Sequence, residues 1–177
     1  MLGLKRGTVK LAKAHKEWAR LFEIEKELLK KTFGDRIIVI EHVGSTAISG
    51  VPAKPLIDMN AAVSSLDDKY IEGFVVSLEK LGYHYMHKFP DRRFYAKGPE
   101  ALRTHHLNLV ELNSDEWNNS ILFRDYMRHN KPACEEYAAL KEKLAGQFAE
   151  DRASYTKAKE EFIQKIIALA KVENRPR

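Results

Sequence analysis

The sequence predicts a single-domain α+β fold, on three observations: long amphipathic periodicities towards both ends, short β-branched and aromatic runs between them, and turn residues at the junctions. At 177 residues the chain has the length of one domain, and a fold of that size buries about 70% of the surface its unfolded form exposes. No repeat, low-complexity tract or linker interrupts it, so residues 1–177 are read as one domain.

The first element is an amphipathic helix from Lys16 to Phe33, with Trp18, Leu21, Phe22, Leu28 and Leu29 at helical spacing and Gly34 as its stop. Arg36 to Val43 contains the run Ile-Ile-Val-Ile, a strand pattern covered on both faces. Ala47 to Pro55 carries Gly50, Pro52 and Pro55 and predicts a loop or a single helical turn. Leu56 to Val63 reads as the next strand. Asp67 and Asp68 then offer an N-cap to a helix with Ile71, Phe74, Val75 and Leu78 on its core face; Gly73 weakens it and Gly82 ends it. Tyr83 to Lys88, Arg92 to Lys97 and Leu102 to Glu111 alternate with turn sequences and predict an antiparallel meander. Trp117 to Arg128, Pro132 to Phe148 and Asp151 to Val172 carry helical apolar stripes, and Glu173 to Arg177 reads as a frayed end.

Cys134 is the only cysteine, which excludes an intramolecular disulfide and a cysteine metal cluster and fits a reducing compartment. Met1 to Lys16 never builds an apolar run of signal-peptide or membrane-span length, so the expected location is the cytoplasm, with no membrane partner. The formal net charge of +5 favours anionic partners without choosing among nucleotides, nucleic acids and phosphorylated metabolites. Nucleic acid ranks below small ligands because the aromatics form no recognisable base-stacking motif. The oligomeric state is not legible here.

Chemistry concentrates at two places. Gly44-Ser45-Thr46 follows a buried strand, where glycine permits close backbone approach and amides plus a hydroxyl can grip phosphate oxygens; a plain strand-to-loop turn would look the same. The turn has neither the ending of a P-loop nor the spacing of a hydrolase elbow. Asp58 lies on the next strand with Leu56, Asn60 and Ala62 on its face, and an ionised carboxylate in so apolar a run needs a partner or a cation. Along the strand around Leu107, His106 and Asn108 share one face and His105 and Glu111 the other. His42, His105 and His106 are candidate metal ligands or acid–base groups, packing residues otherwise. Arg152, Tyr155, Lys159, Phe162 and Ile166 form one stripe of the last helix, where the basic residues either reach a phosphate or extend to solvent. Lys54, Arg92, Arg93, Arg103 and Arg128 complete the anion-binding candidates.

The run His42-Val43-Gly44-Ser45-Thr46, then Gly50, then Ala53-Lys54-Pro55-Leu56-Ile57-Asp58, resembles the signature of the GrpB-like proteins, a group related in fold to nucleotidyltransferases. His105-His106-Leu107, Phe123-Arg124-Asp125-Tyr126 with Arg128, Tyr137 with Leu140-Lys141, and Tyr155 with Lys159 and Phe162 resemble its later blocks. The resemblance implies a mixed sheet flanked by helices with a helical C-terminal portion, and a nucleotide whose phosphates sit on the Gly-Ser turn. It also implies magnesium held by carboxylates, at Asp58 and position 60. This chain has Asn60 and, opposite it, Asn108.

The expectation is therefore a nucleotide- or phosphorylated-ligand-binding protein with Asp58 and His106 as catalytic candidates. Gly44, Ser45, Thr46, Lys54, Arg128 and Lys159 would bind phosphate, and Asp58 with Asn60 would hold magnesium. The alternative is a non-catalytic module that senses a nucleotide or coenzyme, or docks onto a partner.

Overall fold

The computed structural model describes residues 2–173. A five-stranded mixed sheet of order β1-β2-β5-β4-β3 separates two layers of helix. Its strands are β1 (Val39–Val43), β2 (Ile57–Val63), β3 (Tyr83–Lys88), β4 (Arg93–Lys97) and β5 (His105–Glu111), and the helices are α1 (His15–Phe33), α2 (Asp68–Lys80), α3 (Asp115–His129), α4 (Lys131–Gln147), α5 (Arg152–Lys157) and α6 (Glu160–Glu173). No described helix is long and apolar enough to cross a membrane.

Strand alternation divides the sheet chemically. Ile57, Met59, Ala61 and Val63 of β2, with Leu107 and Leu109 of β5, bury against α1 and α2 in the largest apolar cluster, alongside Trp18, Phe22, Leu29 and Phe74. Its opposite face carries Asp58, Asn60, His106 and Asn108 and is covered by the C-terminal helices. β2 and β5 run parallel, with Asp58 beside His106 and Asn60 beside Asn108, while β3, β4 and β5 form the expected antiparallel meander.

Several expected boundaries move for identifiable reasons. β5 begins at His105, because Arg103 bridges Leu4 of the N-terminal arm instead of joining the meander. Asp67 occupies the N-cap of α2 but its side chain makes no capping bond, while Asp68 turns to Lys88 at 2.6 Å and Arg93 at 3.3 Å. Gly73 leaves room for the Arg36 guanidinium, which donates from Nη1 to its carbonyl at 2.8 Å; an added Cβ would collide with Arg36. The expected helix over 151–172 breaks into α5 and α6, because the end of α5 tightens: the Lys159 amide bonds Thr156 O and the helix restarts with Ile163 on Lys159 O. Of the frayed end, Glu173 closes α6, and 174–177 lie outside the described residues.

The arm over residues 2–14 is tied down by backbone bonds, Gly3 to Pro55 O, Val9 to Ala149 O and Arg152 to Gly7 O. It thereby holds the start of α5 against the face of the sheet that carries His106.

Candidate functional site

The turn after β1 brings the phosphate candidates to the sheet. Gly44 has φ 67° and ψ −170°, a region essentially confined to glycine. A Cβ there would also stand 2.7 Å from Asp58 Oδ2, so the turn and the carboxylate are built against each other. Gly44→Ala is expected to lose about 1–3 kcal/mol of stability, measured by urea unfolding; a variant as stable as the parent would show that the turn relaxes freely.

Ser45, Lys54, Asp58, His106, Lys141, Arg152, Tyr155 and Lys159 line one cleft of about 330 Å³. Asp58 is 37% exposed, and its Oδ1 accepts from His106 Nδ1 at 2.7 Å. His106 Nε2 lies 3.1 Å from Arg152 Nη2. A guanidinium only donates, so the neutral tautomer protonated on Nδ1 satisfies both contacts. Burial acts to raise the Asp58 pKa, but the His106 hydrogen bond and the charges of Lys54 and Arg152 outweigh it and hold the carboxyl below its ordinary value.

The cations are the unusual part. Burial, reinforced by Arg152 and Lys159, lowers Lys54 to about 7, and burial lowers Lys159 to about 8. Lys141 is pushed well below the lysine range by burial and then by Lys159 and Lys54. Lys54 and Lys159 lie over the Tyr155 ring at 5.4 and 4.3 Å, and Lys141 over the Tyr137 ring at 5.3 Å. Tyr137, pushed up to about 12 by burial, shares a hydrogen bond with Ser45. Glu116 lines the same cleft and lies 3.4 Å from Arg92, so the cleft holds two carboxylates, Asp58 and Glu116, against a larger number of cations.

Thr46 also lines the cleft, buried with Oγ1 bonded to His42 at 2.9 Å, so it shapes the turn. Other predicted site residues go elsewhere. Arg128 lines a separate hollow with His15 and His42, where its Nε donates to Ala47 O at 2.9 Å and braces the turn from behind. Asn60 is fully buried and its Oδ1 accepts from Asn108 Nδ2 at 3.1 Å, which removes it from the cleft surface. Glu111 receives the Leu66 amide at 3.3 Å, and β5 has no bulge to redirect it. His42 stacks on Phe22 and His105 bonds Thr104; burial lowers both to about 4, as packing residues. Arg93 and Arg103 spend Nη donors on backbone carbonyls.

Lys141 is a cleft residue that sequence reasoning did not select as a ligand, and Arg152, weighed there between a phosphate contact and solvent, also lines the cleft. The signal for Lys141 was available: it stands at helical spacing with Ala133, Tyr137 and Leu144, all buried on one stripe of α4.

The donor set does not fit magnesium. That ion demands near-octahedral hard oxygen ligands, whereas the cleft offers two carboxylates, Asp58 already bonded to His106 and Glu116 paired with Arg92, among cations that repel a dication. Among the described residues no group of three His, Cys, Asp or Glu is placed to hold a metal.

Residues 8–169 match the family described as GrpB protein. The glutamate-rich protein GrpB of Alkalihalophilus pseudofirmus is 38% identical, over 94% of this chain and 98% of its own length. YqkA of Bacillus subtilis is 37% identical over 85% of this chain and 43% of its length. The crystal structure of the conserved protein GrpB from Enterococcus faecalis superposes with TM-score 0.84 and 30% identity, covering 93% of this chain and 98% of that one. The Cid1 poly(U) polymerase, solved with Mg and 3′-dATP bound, shares the fold at TM-score 0.56 and 13% identity over 77% of this chain and 43% of its own. The sheet and its flanking helices thus place the chain in a nucleotidyltransferase-like fold, and it belongs to the GrpB family.

Proposed function

We propose that the protein binds a phosphorylated small molecule, nucleotides included, in the cleft over Asp58, and does so without a divalent ion. The observation that carries this reading is the cluster of Lys54, Lys141, Arg152 and Lys159 around Asp58, in a cleft whose cations outnumber its two carboxylates. Buried cations that outnumber their anions are costly unless a ligand supplies the missing negative charge. Ser45 and the backbone of the Gly44 turn add polar contacts, and Arg152 supports a fork-like grip on phosphate. Asp58 and His106 orient one another and Arg152 at the floor.

Calorimetric titration with pyrophosphate and with ATP tests this. Binding is expected in EDTA and is expected to weaken when magnesium is added, because the metal complex carries less negative charge. Lys159→Met is expected to reduce affinity by about tenfold or more, as for one charge-assisted phosphate contact. Affinity unaltered in Lys54→Met and Lys159→Met, or no binding at all, would remove the proposal.

The fold likeness to Cid1, solved with Mg and 3′-dATP, favours a second reading, metal-assisted nucleotidyl transfer. It predicts the opposite result: binding that requires magnesium and is abolished in Asp58→Ala. A protein that binds neither pyrophosphate nor ATP would leave the partner-docking module as the surviving alternative.

A further inference from the structure

The cationic cleft does not end at His106. Phe89, Phe94, His106, Arg152 and Thr156 form a wall common to it and to a second groove of about 850 Å³. The two therefore make one continuous depression with chemically unlike ends. The second groove is floored by Phe94 and Ala96 of β4, by Met86, and by Ala153 and Ile163 from the C-terminal helices.

Met86 shares this face with His84 by strand alternation, opposite Phe94 and Ala96 of β4. β3 and β4 pair Tyr85 with Tyr95 and His87 with Phe94, leaving Met86 as the extra residue of a β-bulge. The Phe94 ring stands edge-on to His106, with centroids 5.2 Å apart, at the junction of the two ends.

Two of the charged groups that line this groove, Arg6 and Arg103, are committed, while Lys157 and Glu160 also line it. Arg6 is paired with Glu100, and Arg103 Nη1 donates to the carbonyls of Ala96 and Gly98. A nucleobase laid on such a floor would lose water from its N–H and C=O edge with few partners in return, and each unpaired polar group costs about 1–3 kcal/mol. A hydrocarbon or other apolar body meets no such penalty and gains by leaving water.

We infer that the ligand is a soluble phosphate ester with an apolar body larger than a nucleobase, its phosphate among Lys54, Lys141, Arg152 and Lys159 and its body along Phe94, Met86 and Ile163. This inference rests on the phosphate reading of the cleft and extends it to the ligand's other half.

The test is a series of probes on the intact chain: pyrophosphate, then methyl, butyl and hexyl phosphate, with AMP as the planar polar comparison. Affinity is expected to rise about threefold for each methylene that enters the groove. Met86→Asp is expected to abolish that rise, and Met86→Leu to keep it. The wild-type series stands even where Met86→Asp fails to fold.

Failure of pyrophosphate to bind would overturn the phosphate reading and this inference together. Bound pyrophosphate with a flat alkyl series, or AMP binding more tightly than hexyl phosphate, would overturn this inference alone. Phosphatidylcholine vesicles containing phosphatidic acid are expected not to displace hexyl phosphate; displacement would overturn the soluble source in favour of a membrane lipid.

Discussion

Sulfate affinity is expected to fall on the order of 10²-fold as the pH rises from about 6 to about 9. Sulfate keeps its charge throughout that range, so the change belongs to the protein. In the free protein Lys54 sheds its proton near 7 and Lys159 near 8, burial being the main cause of both depressions. A bound dianion favours the charged amines and raises both values, so the complex retains protons that the free protein has lost. Affinity is therefore full below about 7 and declines as the pH climbs through 7 and then 8. Binding near pH 8 accordingly takes up protons. Titrations in two buffers of different ionisation enthalpy count those protons directly. The double variant Lys54→Met/Lys159→Met keeps most of the apolar stems and removes the charges, and its weaker binding is expected to be nearly independent of pH. A flat profile for the parent protein would mean that these lysines do not meet the anion.

Asp58→Asn is expected to tighten sulfate and pyrophosphate binding by about tenfold or more, while lowering the stability of the free protein. The carboxylate is the internal counter-ion of Lys54, Arg152 and Lys159, and its charge raises the pKa of each against the lowering by burial. Replacing it with an amide leaves the cations facing each other, which disfavours the empty state and increases the gain from an incoming anion. The sign of this effect separates the two functional readings sharply. A metal-dependent site loses its ligand with Asp58→Asn and binds nucleotide less well. Thermal unfolding with and without sulfate reads both consequences at once, because a ligand bound to the folded state raises stability by mass action. Unchanged or weaker anion binding would show that Asp58 does not compete with the ligand.

These expectations depend on cations gathered from distant parts of the chain, and that gathering marks the boundary of what could be read in advance. Gly44, Ser45 and Asp58 were legible together because a glycine turn and an acid on consecutive strands meet when the strands pair, here with Val43 beside Asp58. The facing of His106 and Asn108 followed from alternation and was met by the register. Arg128 misled because its charge and family block are visible in sequence, whereas its aim towards Ala47 O behind the turn is not. Lys141 stood in a resembling block with Tyr137 and Leu140, and its aim into the cleft depends on how α4 packs.

The amino-acid order by itself determined the α+β class, the antiparallel meander, the helical C-terminal portion and the pairing of the Gly-Ser turn with Asp58. Periodicity, turn residues and side-chain alternation act over a few residues and survive any rearrangement of the whole. Only the tertiary structure decided that the last helix breaks at Lys159, that Met86 leaves the β3 ladder, and that α4 and α5 deliver Lys141 and Arg152 beside the carboxylate. Those outcomes depend on which helix face packs over which part of the sheet, and burial and like-charge proximity, the two forces that tune the lysines, come into being only with that packing.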